Sequence, residues 1–464
     1  MPDPLPPLSW AHIPVEIKAR ELEAKALLAL ALVERGWGVT LGGQAQLHTA
    51  LPNLPTGVYL SKGVVPKRAP FFARLRDQGH RIAAWCEEGL VYRHRQAYLD
   101  SRIDAEALLQ AERFFAWGET QARDILDKVP AASDRVLVTG NHRVDLLRPE
   151  LRAHHRERVE QIRREHGRFL LVNTNFSRFN HYCGPDFILP TLRQAGKITT
   201  DEQEAFYTRW IDFAKRMYES FVTLLPALSH ALPGSTIVVR PHPSENHDAW
   251  RAHADPLPNV RVIYEDGAIP WLLASSAVLH NSCTTGLEAY LLDRPVFAYR
   301  PFTSEEFDSP LPNAVSVCAP TAEDLVAHVR QALRDPDAHA PADPDRRALV
   351  ASYLTGLEGP LACQRIANAL AGLDVPPVPY APPGPGERLR RSTLPRLRAR
   401  ATEAIRRVAR RRSGLLQYQQ QKFPHLSRKE LRALLGGLAT ATGLPQAVRV
   451  DPIGDALYAL TPAP

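Results

Sequence analysis

The sequence has few cysteines and no long apolar segment. Five cysteines are scattered without the paired spacing of a disulfide framework or a CxxC zinc site, namely Cys86, Cys183, Cys283, Cys318 and Cys363. An odd, dispersed set of this kind is typical of a reducing compartment. No stretch approaches the roughly 18 uncharged apolar residues that a membrane span needs, and residues 1–20 lack the basic region and apolar core of a signal peptide. We therefore expect a soluble cytoplasmic protein.

Two kinds of ligand motif are also absent from the sequence. There is no GxxxxGK[ST] segment, which argues against nucleoside triphosphate hydrolysis. No compact group of His, Cys and Asp residues has the spacing of metal ligands. We therefore expect neither a metal ion nor another resident cofactor.

The positive charge of the chain is concentrated near its carboxyl end. The net charge is +7 over 464 residues, yet the segment from Arg388 to Arg412 alone holds eleven arginines and one acid, Glu403. A run of prolines over residues 376–385 precedes it and predicts a semi-rigid linker at 374–386. We therefore predict a basic helical tail over 387–464 that is separate from the rest, so that a chain ending near Asp374 folds. No aromatic-interleaved basic motif accompanies the arginines, and we expect no nucleic-acid partner.

Before the linker, helical and strand patterns alternate, which is typical of parallel βαβ units. Helical spacing of apolar residues predicts helices at 15–34, 202–232 and 322–333. Short apolar runs predict strands, which fall into two series: 37–41, 57–60, 82–85, 114–117 and 136–138, then 169–172, 237–239, 260–264, 277–279, 296–299 and 314–317. We predict an α/β protein with two halves, 1–165 and 166–373.

Polar clusters follow several of these strands, and ligands in open α/β sheets bind beyond the carboxyl ends of strands. The segment RPHPSE contains Arg240 and His242, which can donate to a phosphate, and Glu245, which can accept from a sugar or ribose hydroxyl. The segment HNSCTTGLE leads from a strand into a helix, whose free N–H groups favour an anion. Its candidate ligand-binding residues are Asn281, Ser282, Thr284, Thr285 and Glu288. A stiffened turn and an ordinary helix cap are the structural alternatives for these two segments.

Carboxylates and amides follow other strands. Glu87 and Glu88 come after the strand at 82–85, and Asp145 lies on the turn after 136–138. Carboxylates from two strand ends suit acid, base or nucleophile roles, although a solvated turn and a helix cap explain them equally well. Asn173 and Asn175 suit either sugar-hydroxyl recognition or turn structure.

Taken together, CEEG, TGNHRVD, NTNF, RPHPSE and SCTTGLEA resemble a bacterial surface-carbohydrate biosynthesis family over residues 12–360. The pattern is similar to that of the retaining β-Kdo glycosyltransferases of O-antigen and capsule assembly, which use CMP-Kdo. His142 stands where that family more often has proline. The resemblance implies a GT-B-like fold with two Rossmann-like lobes and an interlobe cleft, the N-terminal lobe for acceptor and catalysis and the C-terminal lobe for the CMP-sugar.

The resemblance also implies residue roles. It assigns CMP binding to Arg240, His242, Glu245, Ser282, Thr284 and Thr285. Retaining chemistry in that family is attributed to an aspartyl-linked sugar, for which Asp145 is the candidate nucleophile and Glu88 the candidate acid/base, with His242 stabilising the leaving phosphate. Acceptors in surface-glycan assembly are lipid-linked, and arginines near an anionic membrane are each attracted by about 1 kcal/mol. We therefore expect residues 387–412 to contact the anionic inner-membrane surface.

Two alternatives stay open on the sequence. One is a GT-B transferase that uses another CMP- or UDP-sugar, for example one similar to sialyltransferases. The other is a non-catalytic protein that binds a nucleotide or a glycan through the same fold. The identity of the preferred nucleotide separates a CMP-sugar enzyme from a UDP-sugar enzyme.

Overall fold

The computed structural model describes residues 5–335, 343–380, 384 and 422–463. These residues form two compact units. Unit 1 contains residues 5–154, 347–380, 384 and 422–463, and unit 2 contains residues 155–335 and 343–346. The arginine-rich segment 387–412 lies outside the described residues.

Most of the strands belong to one large sheet in each unit. In chain order the strands are β1 (Leu5–Leu8), β2 (Trp10–Val15), β3 (Gly38–Gly43), β4 (Val58–Ser61), β5 (Arg81–Trp85), β6 (Arg113–Ala116), β7 (Val136–Val138), β8 (Phe169–Asn173), β9 (Thr236–Arg240), β10 (Val260–Val262), β11 (Ala277–His280), β12 (Val296–Tyr299), β13 (Val317–Ala319), β14 (Val378–Tyr380), β15 (Val448–Gly454) and β16 (Leu457–Pro462).

Helices connect most of these strands. In chain order they are α1 (Lys18–Glu34), α2 (Gln44–Ala50), α3 (Ala69–Asp77), α4 (Arg95–Arg102), α5 (Ala105–Gln110), α6 (Glu119–Lys128), α7 (His142–Asp145), α8 (Pro149–Arg152), α9 (Arg156–His166), α10 (Ile188–Gln194), α11 (Asp201–Ala231), α12 (His247–Ala254), α13 (Ala268–Ala274), α14 (Thr284–Leu291), α15 (Pro310–Ala314), α16 (Ala322–Arg334), α17 (Pro344–Tyr353), α18 (Ala362–Ala371) and α19 (Arg428–Thr442). Among the described residues, no helix combines the length and apolar character needed to cross a membrane.

The sheet of unit 2 is entirely parallel and has the strand order of a dinucleotide-binding fold. The order is β10-β9-β8-β11-β12-β13, so that the chain builds outward from β8 in one direction and then from β11 in the other. The direction of winding reverses between β8 and β11. In sheets of this kind the crevice for a ligand opens at that reversal, beyond the carboxyl ends of the two strands.

The sheet of unit 1 has a parallel part with a different order. Here β3-β2-β4-β5-β6-β7 are neighbours and run parallel. The winding reverses between β2 and β4, as in flavodoxin-like sheets. The polar residues after β2 and β4 therefore lie at the position where this sheet would take a ligand.

The carboxyl-terminal hairpin extends the sheet of unit 1. Strand β16 pairs antiparallel with β3, and β15 pairs with β16. Gly42 marks the close approach, because a Cβ at that position would lie 2.3 Å from the carbonyl oxygen of Ala456. The prediction of a separate helical tail over 387–464 is thus wrong for residues 422–463, which are part of unit 1. For the arginine segment 387–412, which lies outside the described residues, the prediction stays a prediction.

The carboxyl-terminal extension of unit 1 helps to cover helix α1. Its sequence is mostly Ala and Leu, which are strong helix formers, and its apolar residues occur on all sides rather than on one stripe. A helix of that kind is stable only when it is covered all round. It packs against β2, β3 and β16 and against α7, α18 and α19, so that helices from the carboxyl-terminal part of the chain supply part of its cover.

Several predicted boundaries differ from the structure. The boundary at 165/166 moves to 154/155, and residues 347–373, predicted in the second half, belong to unit 1. The central strand β2 was not predicted, since Pro14 lies within its run and proline usually argues against a central strand. The strand predicted at 314–317 begins only at Val317, because Pro310–Ala314 form helix α15.

Candidate active site

The reversal point of the unit 2 sheet brings together two of the predicted clusters. Asn173 at the end of β8 pairs in register with His280 at the end of β11. Beyond them, the Asn281 side chain accepts a hydrogen bond from the backbone N–H of Asn175 at 2.9 Å and donates to its carbonyl at 3.3 Å. Asn173 is buried, and its Nδ2 has no partner within the described part of the chain. Asn281 therefore joins the two loops at the place where a ligand is expected.

His242 lies on the loop after β9 and is fixed in orientation. Its Nδ1 accepts a hydrogen bond from the backbone N–H of Ser244 at 3.1 Å. A neutral imidazole that accepts at Nδ1 carries its proton at Nε2. His242 is only partly buried, so its Nε2–H is the donor that this loop can direct toward an anion.

Glu245 holds this loop in place rather than facing solvent. Its side chain is fully buried and accepts hydrogen bonds from Thr174 Oγ1 at 2.8 Å, from the His242 backbone N–H at 3.1 Å and from Trp250 Nε1 at 2.9 Å. Burial raises the pKa of Glu245, and the hydrogen bonds oppose that rise. In this conformation the predicted bond from a sugar hydroxyl has no route to the carboxylate.

Arg240 is likewise engaged by the protein. Its guanidinium donates to the backbone carbonyls of Glu265 at 2.8 Å and Asp266 at 2.7 Å and lies 5.0 Å from the ring centre of Tyr264. Burial lowers the pKa of Arg240 to about 10, which still leaves it charged at neutral pH. Arg240 supplies positive charge beneath the loop and anchors the segment after β10.

Helix α14 begins directly after β11 and has no side-chain cap at its N-terminus. Ser282 precedes it with φ +57°, a left-handed conformation that its hydroxyl supports by donating to Asn313 Oδ1 at 2.9 Å. Thr285 Oγ1 lies 2.8 Å from Cys283 Sγ. Thr284 and Glu288 are partly buried and lie one turn apart on the same face. The Gly286 N–H of this turn donates to the Cys283 carbonyl at 3.0 Å, and the N–H groups at the start of the helix form its anion-favouring end.

The structure shows why position 286 is a glycine, which the sequence did not reveal. A Cβ there would lie 2.4 Å from Nε2 of the buried His280, whose ring bonds Ser316 Oγ at 2.8 Å. The glycine therefore lets α14 pack on the His280 imidazole.

In unit 1, Glu87 belongs to a buried network of charges after β5. It accepts a hydrogen bond from Trp85 Nε1 at 2.9 Å, lies 3.5 Å from Lys25 Nζ and 3.8 Å from Arg143. Lys25 is almost fully buried and also bonds Glu21 at 2.6 Å. Burial alone would raise the pKa of Glu87, but Lys25 and Arg143 hold it well below its usual range. The network thus combines two acidic side chains, Glu21 and Glu87, with two basic ones, Lys25 and Arg143.

Glu88 faces outward from the same turn and pairs with Arg20, at 2.9 Å. Arg20 lowers the pKa of Glu88 to about 2, against the opposing effect of burial. At neutral pH the Glu88 side chain is therefore an ionised carboxylate. In this state it has no proton to supply, and its low pKa makes it a weak base.

Asp145 is fully buried on the short helix α7. One carboxylate oxygen accepts from the backbone N–H of Ala362 at 2.7 Å and the other from that of Cys363 at 2.8 Å, at the first turn of α18. Burial raises the pKa of Asp145 to about 6 despite these bonds. The carboxylate thus caps the distant helix α18 and not a short helix starting at Asp145, which was the structural alternative on the sequence. The nucleophile role stays a prediction.

His142 connects the two predicted clusters of unit 1. Its ring packs edge-on against Trp85 with 4.6 Å between ring centres, and it is fully buried. Neither ring nitrogen has a hydrogen-bond partner within the described residues, and burial lowers the pKa of His142 to about 3. Together with the contact between Arg143 and Glu87, this brings the CEEG and TGNHRVD segments to the same edge of the sheet.

Sequence reasoning missed several residues of these networks. Lys25 lay directly before the apolar run at 26–33 of α1, and Arg143 lay inside a quoted motif. Thr174 and Asn313 carried no such signal, because their partners are distant in sequence. Trp250 lies only five residues after its partner Glu245, but nothing in the local pattern marks its indole N–H as a donor to that carboxylate.

Comparison with known proteins establishes the fold. No protein-family description and no curated protein matches the sequence. A variant of the wall teichoic acid polymerase TagF with CDPG is 10% identical, with a TM-score of 0.50 over 78% of this chain and 87% of that chain. UDP-GlcNAc 2-epimerases from Neisseria meningitidis and Methanocaldococcus jannaschii are 13% and 14% identical, with TM-scores of 0.46 and 0.44; each match covers 78% of this chain, and 98% and 99% of the respective epimerase.

The likeness to TagF shows the fold alone. The chain has a GT-B fold with two Rossmann-like lobes, which confirms the predicted α/β, GT-B-like class.

Proposed function

We propose that this protein is a glycosyltransferase that transfers a sugar from a CMP-activated donor to a surface-polysaccharide or lipid-linked glycan acceptor. We propose Kdo, transferred with retention, as the sugar. One observation carries the proposal: paired amides and a helix start without a side-chain cap lie at the reversal point of the unit 2 sheet, and an oriented histidine follows β9, the strand next to β8. Neutral hydrogen-bond donors of this kind suit the phosphate group of a nucleoside monophosphate. TagF, which shares the fold, is a polymerase described with CDPG.

The proposed chemistry of the donor site uses donors that the fold orients in advance. His242 Nε2–H and the first N–H groups of α14 would bind the phosphate and stabilise its charge as CMP leaves. Glu245 and Arg240 have a structural role here. Glu245 holds the loop that carries His242 by accepting from its backbone N–H, and Arg240 holds the segment after β10 by donating to the Glu265 carbonyl. We expect transfer to need no metal ion, and activity should therefore persist in the presence of EDTA.

A panel of nucleotides tests the donor class. A ligand that binds only the native state raises the melting temperature by mass action. We expect CMP to raise the melting temperature of the full chain more than UMP, UDP or GDP does. A larger shift with UDP would replace the CMP-sugar proposal by the UDP-sugar alternative, and no shift with any of them would remove the nucleotide proposal.

Substitution of His242 tests the site itself. His242→Ala should weaken CMP binding by about tenfold or more, because a hydrogen bond to a charged group contributes roughly 1.5–3 kcal/mol. Thr285→Val should cause a smaller loss. His253→Ala provides the matched control, since His253 is exposed on α12, and it should bind CMP as the unchanged protein does.

The catalytic carboxylates are proposed by resemblance, with Asp145 as nucleophile and Glu88 as acid/base. In a double displacement, a carboxylate oxygen bonds the anomeric carbon as the bond to CMP breaks, and the acceptor hydroxyl later displaces it after losing its proton to the base. Glu88→Gln should retain residual activity, because general acid/base groups contribute about 10²–10⁴-fold. Intact-mass spectrometry of Glu88→Gln with CMP-Kdo should show one added sugar that maps to Asp145. Mapping to another carboxylate would reassign the nucleophile.

One observation favours the non-catalytic alternative. Both oxygens of Asp145 are bonded to backbone N–H groups in a site with no exposed surface, so attack on a sugar requires these bonds to open. If CMP-Kdo binds but is neither hydrolysed nor transferred to any tested glycan, the protein binds its nucleotide sugar without catalysis. Turnover that Asp145→Asn abolishes at unchanged CMP affinity would reject this alternative.

We also propose that residues 387–412 bind the anionic surface of the inner membrane. The support is the concentration of eleven arginines in this segment, each attracted by about 1 kcal/mol near such a surface. Replacing the eleven arginines by glutamine should abolish cosedimentation with vesicles that contain phosphatidylglycerol. Transfer to a soluble acceptor should be retained. Equal vesicle binding by both proteins would reject the membrane role.

A further inference from the structure

The reversal point of the unit 1 sheet holds a group of charged residues that no predicted motif includes. Glu16 directly follows β2, and Lys62 directly follows β4. These are the two strands between which the winding reverses, so both residues lie where a flavodoxin-like sheet takes its ligand. The Glu16 carboxylate forms an ion pair with Lys62.

The carboxyl-terminal part of the chain adds a second lysine to the same carboxylate. Lys422 Nζ lies 3.1 Å from Glu16 Oε1, while Lys62 contacts the other oxygen. The three side chains are about a quarter exposed, between 22% and 28%. One carboxylate thus orients two ammonium groups that remain accessible to a ligand of moderate size.

The charges around this pair do not balance. Lys62, Lys422, Arg20 and Arg68 are the cations of the group, and Glu16 and Glu88 are its carboxylates. Among these six side chains the cations outnumber the carboxylates by two. The deeper network of Lys25, Arg143, Glu21 and Glu87 is balanced in itself, and its Glu87 acts on Lys62 in the opposite direction to Arg68.

The pKa of Lys62 reflects its burial and the charges around it. Burial, and then the positive charge of Arg68, lower the pKa of Lys62 to about 8, and Lys422 contributes in the same direction. An ammonium surrounded by other cations binds an anion favourably, because the anion relieves the repulsion among them. The polarity of α1 adds to this, since the helix begins at Lys18, two residues after Glu16.

We infer that Lys62 and Lys422 form a binding site for an anionic group, a phosphate or a carboxylate, at the reversal point of the unit 1 sheet. If the chain is the glycosyltransferase proposed above, this group belongs to the acceptor, which is then an acidic or phosphorylated glycan. The site depends on the carboxyl-terminal segment, because one of its two lysines comes from residue 422.

Direct binding of small anions to the full chain tests this site. Inorganic phosphate and glucuronate serve as the phosphate and carboxylate probes, with glucose as the uncharged reference, and calorimetric titration gives the affinities. The measurements use the His242→Ala background, which removes the proposed phosphate contact of unit 2. Lys62→Met and Lys422→Met should each weaken binding of the preferred anion by about tenfold or more.

Matched controls come from the same two segments. Lys67 and Lys429 are exposed lysines close in sequence to Lys62 and Lys422, and Lys67→Met and Lys429→Met should bind the anion within about twofold of the background protein. Lys422→Arg keeps the charge and should retain most of the affinity, which guards against misfolding of Lys422→Met. If phosphate binds more tightly than glucuronate, the site prefers a phosphate group. If glucuronate binds more tightly, the site prefers a carboxylate.

Two outcomes would overturn the inference. One is that neither anion binds more tightly than glucose, and the other is that Lys62→Met and Lys422→Met bind as their controls do. Both are independent of the nucleotide proposal, because the probes contain no nucleotide. Loss of CMP binding with retained anion binding would reject the proposed donor and leave this site standing.

Discussion

At the scale of single residues, burial separates groups that can meet a ligand from groups that hold the site together. His242 and Glu245 are three positions apart in one motif, yet only His242 is partly exposed. The carboxylate of Glu245 accepts from a hydroxyl, a backbone N–H and an indole N–H. Its removal would leave three donors unsatisfied in an apolar environment.

We therefore expect Glu245→Ala and His242→Ala to lose CMP binding for different reasons. Glu245→Ala should destabilise unit 2 by several kcal/mol, at roughly 1–3 kcal/mol for each unsatisfied donor, and lose CMP binding as a consequence. His242→Ala should keep the melting temperature near that of the unchanged protein while losing CMP affinity. Calorimetric melting without ligand separates the two, and an unchanged melting temperature for Glu245→Ala would contradict the structural role.

Asp145 gives a second residue-scale prediction. An asparagine at this position keeps one acceptor for the first turn of α18 but turns an amide N–H₂ toward the other backbone N–H. Asp145→Asn should therefore cost about 0.5–2 kcal/mol of stability, the range for loss of a helix cap. Urea unfolding measures this, with Asp134→Asn as control because Asp134 is largely exposed (72%). Stability equal to that of the control would show that the cap is energetically neutral.

At the scale of elements, the carboxyl-terminal hairpin is part of the core of unit 1. Leu457, Tyr458 and Leu460 of β16 are at most 4% exposed. Full burial of a side chain of this size stabilises by about 1.5–3 kcal/mol. Without β16, the edge of β3 and one side of α1 lose their cover.

A chain that ends at Asp374 should therefore fail to fold, contrary to the expectation from the linker. The loss of β15, β16 and α19 exposes strand β3 as an open edge, which favours aggregation. Soluble yield and circular-dichroism melting measure the effect. The full-length protein with its eleven arginines replaced by glutamine is the control and should remain folded. A soluble truncated chain with an unchanged melting curve would show that the hairpin is dispensable.

At the scale of the whole molecule, buried neutral histidines make stability depend on pH. Burial lowers the pKa of His12, His142 and His280 to about 3 and that of His80 below its usual value. The unfolded chain binds protons at these residues below about pH 6.5 and the folded chain does not. Their contribution to stability is therefore present above about pH 6.5 and is lost as the pH falls toward 3.

We predict a lower melting temperature at pH 5 than at pH 7. Each such histidine changes stability by up to about 1.4 kcal/mol per pH unit in this range. Asp145 acts in the opposite direction between about pH 4 and pH 6, since its pKa is raised to about 6, as does Glu245, but the four histidines outnumber these two. His12→Gln should reduce the difference, because the amide can still donate to the Pro55 carbonyl that His12 Nε2 contacts. Equal melting temperatures at both pH values would contradict the prediction.

The sequence by itself determined the α/β class and most of the strand ends. Alternation of short apolar runs with helical spacing depends on neighbouring residues only, and it placed the RPHPSE and SCTTGLE segments after β9 and β11, where the structure has them. The motif residues of unit 1 were also placed correctly after β5 and β7. These local signals sufficed for the fold because each element forms largely from its own pattern.

Only the tertiary structure decided how these segments are used. The pairing of β16 with β3, across some 400 residues, leaves no trace in any short window, and Pro14 concealed the central strand β2. A carboxylate after a strand has the same sequence whether it meets a ligand, as predicted for Glu245, or three donors of its own chain. Thr174, one partner of Glu245, and the partners of Asp145 and Glu16 come from distant parts of the sequence, because long-range packing, and not local preference, determines which polar groups are buried together.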